Sequence, residues 1–131
     1  MALYVEFNTG VRVYGDTSKT KIKGSLVVED KVIDVLTWES SARVSLAALA
    51  TDIAFNMQGG TNAKLLLLES VKEFSFKLNA GAAITLKPRT NAADQSVVPA
   101  CAMLMTDAIT SLSFTNPDTS SAIEVDVSIC G

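Results

Sequence analysis

The sequence predicts an all-β fold, a single-domain antiparallel β-sandwich or jelly roll of about eight to ten short strands spanning 1–131. Three observations predict it. Apolar and polar residues alternate with a period of two over most of the chain, which places one side of a strand on a core and the other in water. Clusters of Gly, Asn, Asp and Pro interrupt the alternation at short, fairly even intervals. A chain of 131 residues can also sustain one core, because about two-thirds of its unfolded surface is buried on folding.

The elements follow in order. Leu3, Val5 and Phe7 alternate with Tyr4 and Glu6, and "NTG" at 8–10 is expected to turn the chain into "VRVYG". Lys19, Lys21 and Lys23 alternate with Thr20, Ile22 and Gly24, and the pattern continues through Leu26 and Val28. "EDK" at 29–31 is expected to connect this strand tightly to a returning partner at 32–38. "SSARVSLAALATDIAF" reads two ways. It is a short helix capped by Ser40 or Ser41 with Leu46, Leu49, Ala50 and Ile53 on one side, or two strands at 43–46 and 52–57. Strands are preferred, because the neighbouring segments are strands and a mixed pattern needs extra layers.

"QGG" at 58–60 then delivers the chain into "AKLLLLES", whose four unalternating leucines predict a strand covered on both faces. Phe74, Phe76 and Leu78 alternate with Glu73, Ser75 and Lys77, "NAG" at 79–81 turns, and Ile84 and Leu86 return. "PRTNAADQS" at 88–96 reads as a long loop, either functional or a crossover between sheets. Leu112 and Phe114 precede "TNPD", and Ile123, Val125, Val127 and Ile129 close the chain against Glu124, Asp126 and Ser128. In "TNPD" the proline presets its dihedral and Asn or Asp caps the turn.

Composition excludes several function classes. With 11 basic and 14 acidic residues the net charge is −3, which offers no basic footprint for nucleic acid. The longest aliphatic run, "LLLL" at 65–68, falls far short of the ~20 residues of a membrane helix. "MALYVEFNTG" has no basic start and contains Glu6, so the expectation is a soluble chain made in a cytoplasm. Cys101 in "PACAMLM" and Cys130 in "VSICG" sit in apolar, strand-like settings, which favours buried thiols over a disulfide. At 48% apolar and 19% charged, the chain is expected to keep apolar surface for another chain, as a homo-oligomer does.

Catalytic chemistry is thin. There is no histidine, so no Ser-His-Asp triad, Cys-His dyad or histidine-held metal can form, and a cupin enzyme is excluded. Gly59 and Gly60 lack the lysine of a phosphate loop, and "NAGAA" lacks dinucleotide-binding spacing. Carboxylates could serve a glycosidase, but Asp52 with Glu69 and Glu124 with Asp126 have no distinguishing spacing, and the second pair reads as a solvated strand face. We therefore expect no catalytic residue, cofactor or metal, and no enzyme.

Four residues stand out as interface candidates: Lys19, Lys21, Lys23 and Trp38. Three lysines on one strand face repel unless water or an acidic partner faces them. The stripe is either edge protection or a docking strip. Trp38 reads as a core or interface residue, with sugar stacking as the alternative.

The order "NMQGGTNAKLLLLES…FSFKLNAGAAITLKP…MLMTDAITSLSFTNPDTSSAIEVDVSICG", over about 53–131, resembles small virion proteins of tailed bacteriophages. The carrying features are a Gly-Gly turn, a leucine-rich strand, a hairpin with an "ITLKP"-like return and a closing hairpin that ends in glycine. Residues 1–52 add nothing to the likeness, and Cys130 before the final glycine departs from it. The resemblance implies a virion structural protein, foremost a capsid decoration (cement) protein that binds the major capsid protein across coat subunits, with a trimer favoured. The alternatives are a head-fibre, neck or tail component, or a β-sandwich module that binds carbohydrate on a host surface.

Overall fold

The structure, a computed structural model, describes residues 3–14, 22–36 and 38–131. Every regular element among them is a strand and every pairing is antiparallel. The sequence predicted one domain over 1–131. The contacts divide the chain into two compact units, Met1–Thr37 and Trp38–Gly131, each described by itself.

In the first unit β1 (Leu3–Tyr14) pairs with β2 (Ile22–Leu36). Neither expected turn forms: β1 runs straight through "NTG" and β2 through "EDK". Phe7 lies opposite Lys31 and Thr9 opposite Val28, so the two turn-like clusters face each other across a β-bulge. Asn, Asp and Gly accept the irregular dihedrals of a bulge as readily as those of a turn, so the same residues signal either. Lys23 falls within β2, whereas Lys19 and Lys21 lie outside the described residues.

The second unit holds β3 (Glu39–Leu46), β4 (Ile53–Ala54), β5 (Ala63–Ser70), β6 (Phe74–Leu78), β7 (Ile84–Leu86), β8 (Arg89–Thr90), β9 (Val97–Val98), β10 (Ala100–Ile109), β11 (Leu112–Thr115) and β12 (Ile123–Cys130). They make a sandwich of two four-stranded sheets, ordered β10-β5-β12-β3 and β4-β11-β6-β7, plus the small hairpin β8-β9. The pairing is nested: β3 with β12, β4 with β11, β5 with β10, and β6 with β7. Two further pairings, β12 with β5 and β11 with β6, wind this folded-back ribbon into two layers.

The core lies between the layers. Sheet one contributes Leu46, Leu66, Leu68, Ile123, Val125, Val127 and Ile129; sheet two contributes Phe74, Phe76, Leu112 and Phe114. β12 buries its odd-numbered positions and turns Glu124 and Asp126 outward, as strand alternation requires. β5 occupies a central position in its sheet, and three of its four leucines are buried, but Leu67 stays 39% exposed on the outer face.

The ambiguous segment resolves toward strand. β3 starts at Glu39 and β4 shrinks to Ile53–Ala54, while 47–52 forms a connection with positive φ at Leu49 and Asp52. The loop at 88–96 is tighter than expected: β8 and β9 pair, and Asn91 donates its N–H to Ser96 O at 2.8 Å while its own carbonyl accepts from Gln95 N at 2.8 Å.

Two turns show how glycine positions are used. In the turn 57–60, Gln58 and Gly59 carry the positive φ angles, and Gly60 N donates to Met57 O at 2.9 Å. Gly60 itself is needed for space, as the next subsection describes. In "NAG" the positive angles belong to Asn79 and Ala80, the pair of left-handed central residues that hairpin twist favours.

Candidate functional site

Period-two geometry sorts the outer face of sheet one into rows of adjacent side chains. One row is Cys101, Glu69, Asp126 and Arg43; the next is Met103, Leu67, Ser128 and Ser41. Together these rows line a shallow trough of about 690 Å³. Its two halves differ chemically.

On β3 and β12 the trough is polar. Arg43 Nε donates to Asp126 Oδ1 at 2.7 Å and its Nη2 donates to Oδ2 at 3.1 Å, with Glu124 Oε2 3.6 Å from Nη1. The hydrogen bond from Arg43 holds the Asp126 carboxyl below its ordinary value, and the same contact raises the guanidinium. Ser41 and Ser128 hydroxyls meet at 2.7 Å. The acidic pair thus shares one guanidinium in a cross-strand cluster in solvent, where ion pairs contribute little to stability. The other carboxylate candidates separate: Glu69 stands on this face, while Asp52 precedes β4 in sheet two and pairs with Lys77 at 2.9 Å.

On β5 and β10 the trough is apolar apart from Glu69. Met103 is 46% and Met105 54% exposed, next to exposed Leu67 and Cys101. Val97 and Val98, just ahead of β10, are exposed as well. The sequence reading expected Leu67 and Cys101 to be covered and passed over Met103, Met105, Val97 and Val98, though a signal was present. In "CAMLM" both phases of the alternation are apolar, so the strand has no side suited to water.

β10 is also an edge. Among the described residues its ladder partner is β5 alone. From 100 to 106 it carries neither charge nor proline, the devices that usually discourage strand addition. Regular pairing with β5 ends at Met105, with a register shift before Ile109. Beyond it, Asn79 Nδ2 donates to Ala108 O at 2.8 Å, which ties that end of β10 to the β6–β7 turn.

Both thiols are free. Cys101 is exposed where burial was expected, because it lies on the outer face of the edge strand. Cys130 is half-buried, and burial, with Glu39 nearby, raises its thiol above the ordinary value.

Trp38 holds the sandwich's own ends. It exchanges backbone hydrogen bonds with Gly131 at 3.0 and 3.1 Å, extending the β3–β12 ladder by one pair, and its Nε1 donates to Thr61 O at 3.1 Å. One indole face lies on Gly60, where a Cβ would fall 2.5 Å from Cδ2 and Cε3. Gly60→Ala should therefore displace the ring and cost about 1–3 kcal/mol. The chain has a single tryptophan, so its fluorescence reports directly: we expect a red shift and a lower melting temperature, and an unchanged spectrum would refute the contact.

Among the described residues no group of His, Cys, Asp and Glu has the arrangement of a metal site, and no helix is long and apolar enough to cross a membrane. No family model, curated protein or solved structure matches the chain.

Proposed function

We propose that this chain is a structural protein of a tailed-phage particle, a capsid decoration protein whose jelly-roll domain adheres to the assembled coat. The observation that carries the proposal is the nested strand order. Pairing of β3 with β12, β4 with β11 and β5 with β10, wound into two four-stranded sheets, supports a jelly-roll plan, which recurs in viral capsid domains as well as in lectins and cupins. Fold alone does not assign function. Two further features favour the particle over the other jelly-roll uses. The resemblance to virion proteins runs over about 53–131, inside the sandwich unit, and the outer face offers apolar contact area along β5 and β10.

In this reading the mechanism is multivalent. Several shallow apolar contacts, joined in one oligomer, bind a repeating lattice far more tightly than each contact alone. Because they engage only the assembled coat, they stabilise it by mass action. The indole N–H and one ring face of Trp38 are occupied within the unit, which supports its reading as a packing residue. The test is mass spectrometry of particles purified from the phage or prophage that encodes the chain. We expect the chain in stoichiometric amounts on intact capsids; its absence from them would overturn the proposal.

A further inference from the structure

We propose that β10 is the self-association edge of this protein, pairing antiparallel with β10 of a second copy about a two-fold axis at Met103. The inference rests on the adhesive reading of the outer face and names the occupant of the edge that no strand among the described residues pairs with. Backbone chemistry comes first. Segment 100–105 pairs regularly with β5 on one side, and an unpaired strand edge presents a row of N–H and C=O groups ready to bond another strand. Side-chain chemistry selects which strand. Residues directly opposite in an antiparallel pair share a face, so a two-fold axis must sit on a residue. An axis at Met103 sets Met103 against its own copy and Cys101 against Met105, so apolar meets apolar throughout the outer row.

Among the edges of the two four-stranded sheets, the alternatives fit less well. The other long edge of sheet one, β3, would bring exposed Arg43 and Ser41 against methionines. The edges of sheet two, β4 and β7, are two and three residues long, too short to satisfy this one. The C-terminal limit is built in as well, since the register shift after Met105 and the Asn79 bond to Ala108 O end the usable edge. Pairing joins two four-stranded sheets into one of eight strands. It also sets the Leu67, Met103 and Met105 strips of both copies side by side, doubling the apolar face offered to a coat. One strand pair of roughly 20 Å is a small interface, so the dimer is expected to be of micromolar strength. This geometry favours a two-fold pair over the trimer that the resemblance implied.

The experiment uses the full chain. Light scattering from about 5 to 500 µM should show a monomer–dimer equilibrium. Met103→Lys, which sets two ammonium groups opposite each other, should weaken it at least about tenfold while circular dichroism and melting temperature stay unchanged. In a Cys101→Ser background, Met103→Cys should form an interchain disulfide on mild oxidation, because Cα atoms of facing residues lie about 4.5–5.5 Å apart. Ser41→Cys on the opposite edge should not. A strict monomer at the highest concentration, a trimer, an oligomer indifferent to Met103→Lys, or no Met103→Cys cross-link would each overturn the inference. Such a failure leaves the particle assignment to be judged separately by mass spectrometry.

Discussion

Phe114→Ala should lower the melting temperature of the full chain by roughly 15–30 °C, equivalent to about 3–5 kcal/mol. Phe114 is fully buried on β11, the strand that pairs with both β4 and β6. Its ring meets Phe55 edge-on, at 6.3 Å between centroids and 88° between planes, and Phe74 at 6.3 Å and 56°. Truncation removes the transfer free energy of the ring and leaves a cavity that rigid strands on both sides cannot close. It also removes two aromatic contacts of about 0.5–1.5 kcal/mol each. Phe55→Ala is the internal comparison. Its side chain is half-buried at the core's margin, so we expect about half the loss. Chemical denaturation followed by circular dichroism measures both. A Phe114→Ala loss below about 1 kcal/mol would mean that the aromatic cluster does not organise this core.

That cluster was legible from sequence, because alternation at Phe74, Phe76 and Leu78 and again at Ile123–Cys130 is a local property that burial enforces directly. Other features were not legible, for identifiable reasons. "NTG" and "EDK" signal an irregular backbone, and only the pairing partner decides between turn and bulge. The role of Gly60 depends on Trp38, which reaches it from 22 positions earlier in the chain. The candidate surface illustrates the limit best. "CAMLM" could be read as apolar on both sides, but whether that strand lies centrally or at an edge follows from long-range pairing among β3, β5, β10 and β12. The exposure of Leu67 in the middle of "LLLL" has the same origin. A central strand is covered on both faces only where something lies over the outer one. Residues 15–21, which include Lys19 and Lys21, lie outside the described residues.

Asn116→Ala should cost about 2–4 kcal/mol, more than a turn residue ordinarily would. Asn116 is the asparagine of "TNPD", where the sequence promised a local cap, and it does accept Asp118 N at 2.9 Å. The unforeseen part is its other end. The amide Nδ2 is buried and faces three carbonyls, Leu46 O at 3.2 Å, Ala47 O at 3.0 Å and Ser121 O at 2.9 Å. Its backbone N–H also donates to Ala50 O at 2.8 Å. One side chain thereby fastens the end of β3 to the crossover that leads from β11 into β12. Removing it leaves buried acceptors without a donor, each costing about 1–3 kcal/mol before relaxation. Asn116→Asp tests this chemistry at constant shape. It keeps the cap but turns a carboxylate oxygen toward three carbonyl oxygens, so the folded state should raise the carboxyl above its usual value. A raised acid destabilises the fold once pH exceeds its unfolded value of about 4, and the penalty is complete above the folded value. Stability of Asn116→Asp should therefore recover relative to wild type as pH falls toward about 4, because the protonated acid again donates one hydrogen bond. Asn116→Ala should show no such recovery. Parallel pH profiles for the two variants would show that the three carbonyls do not depend on the amide.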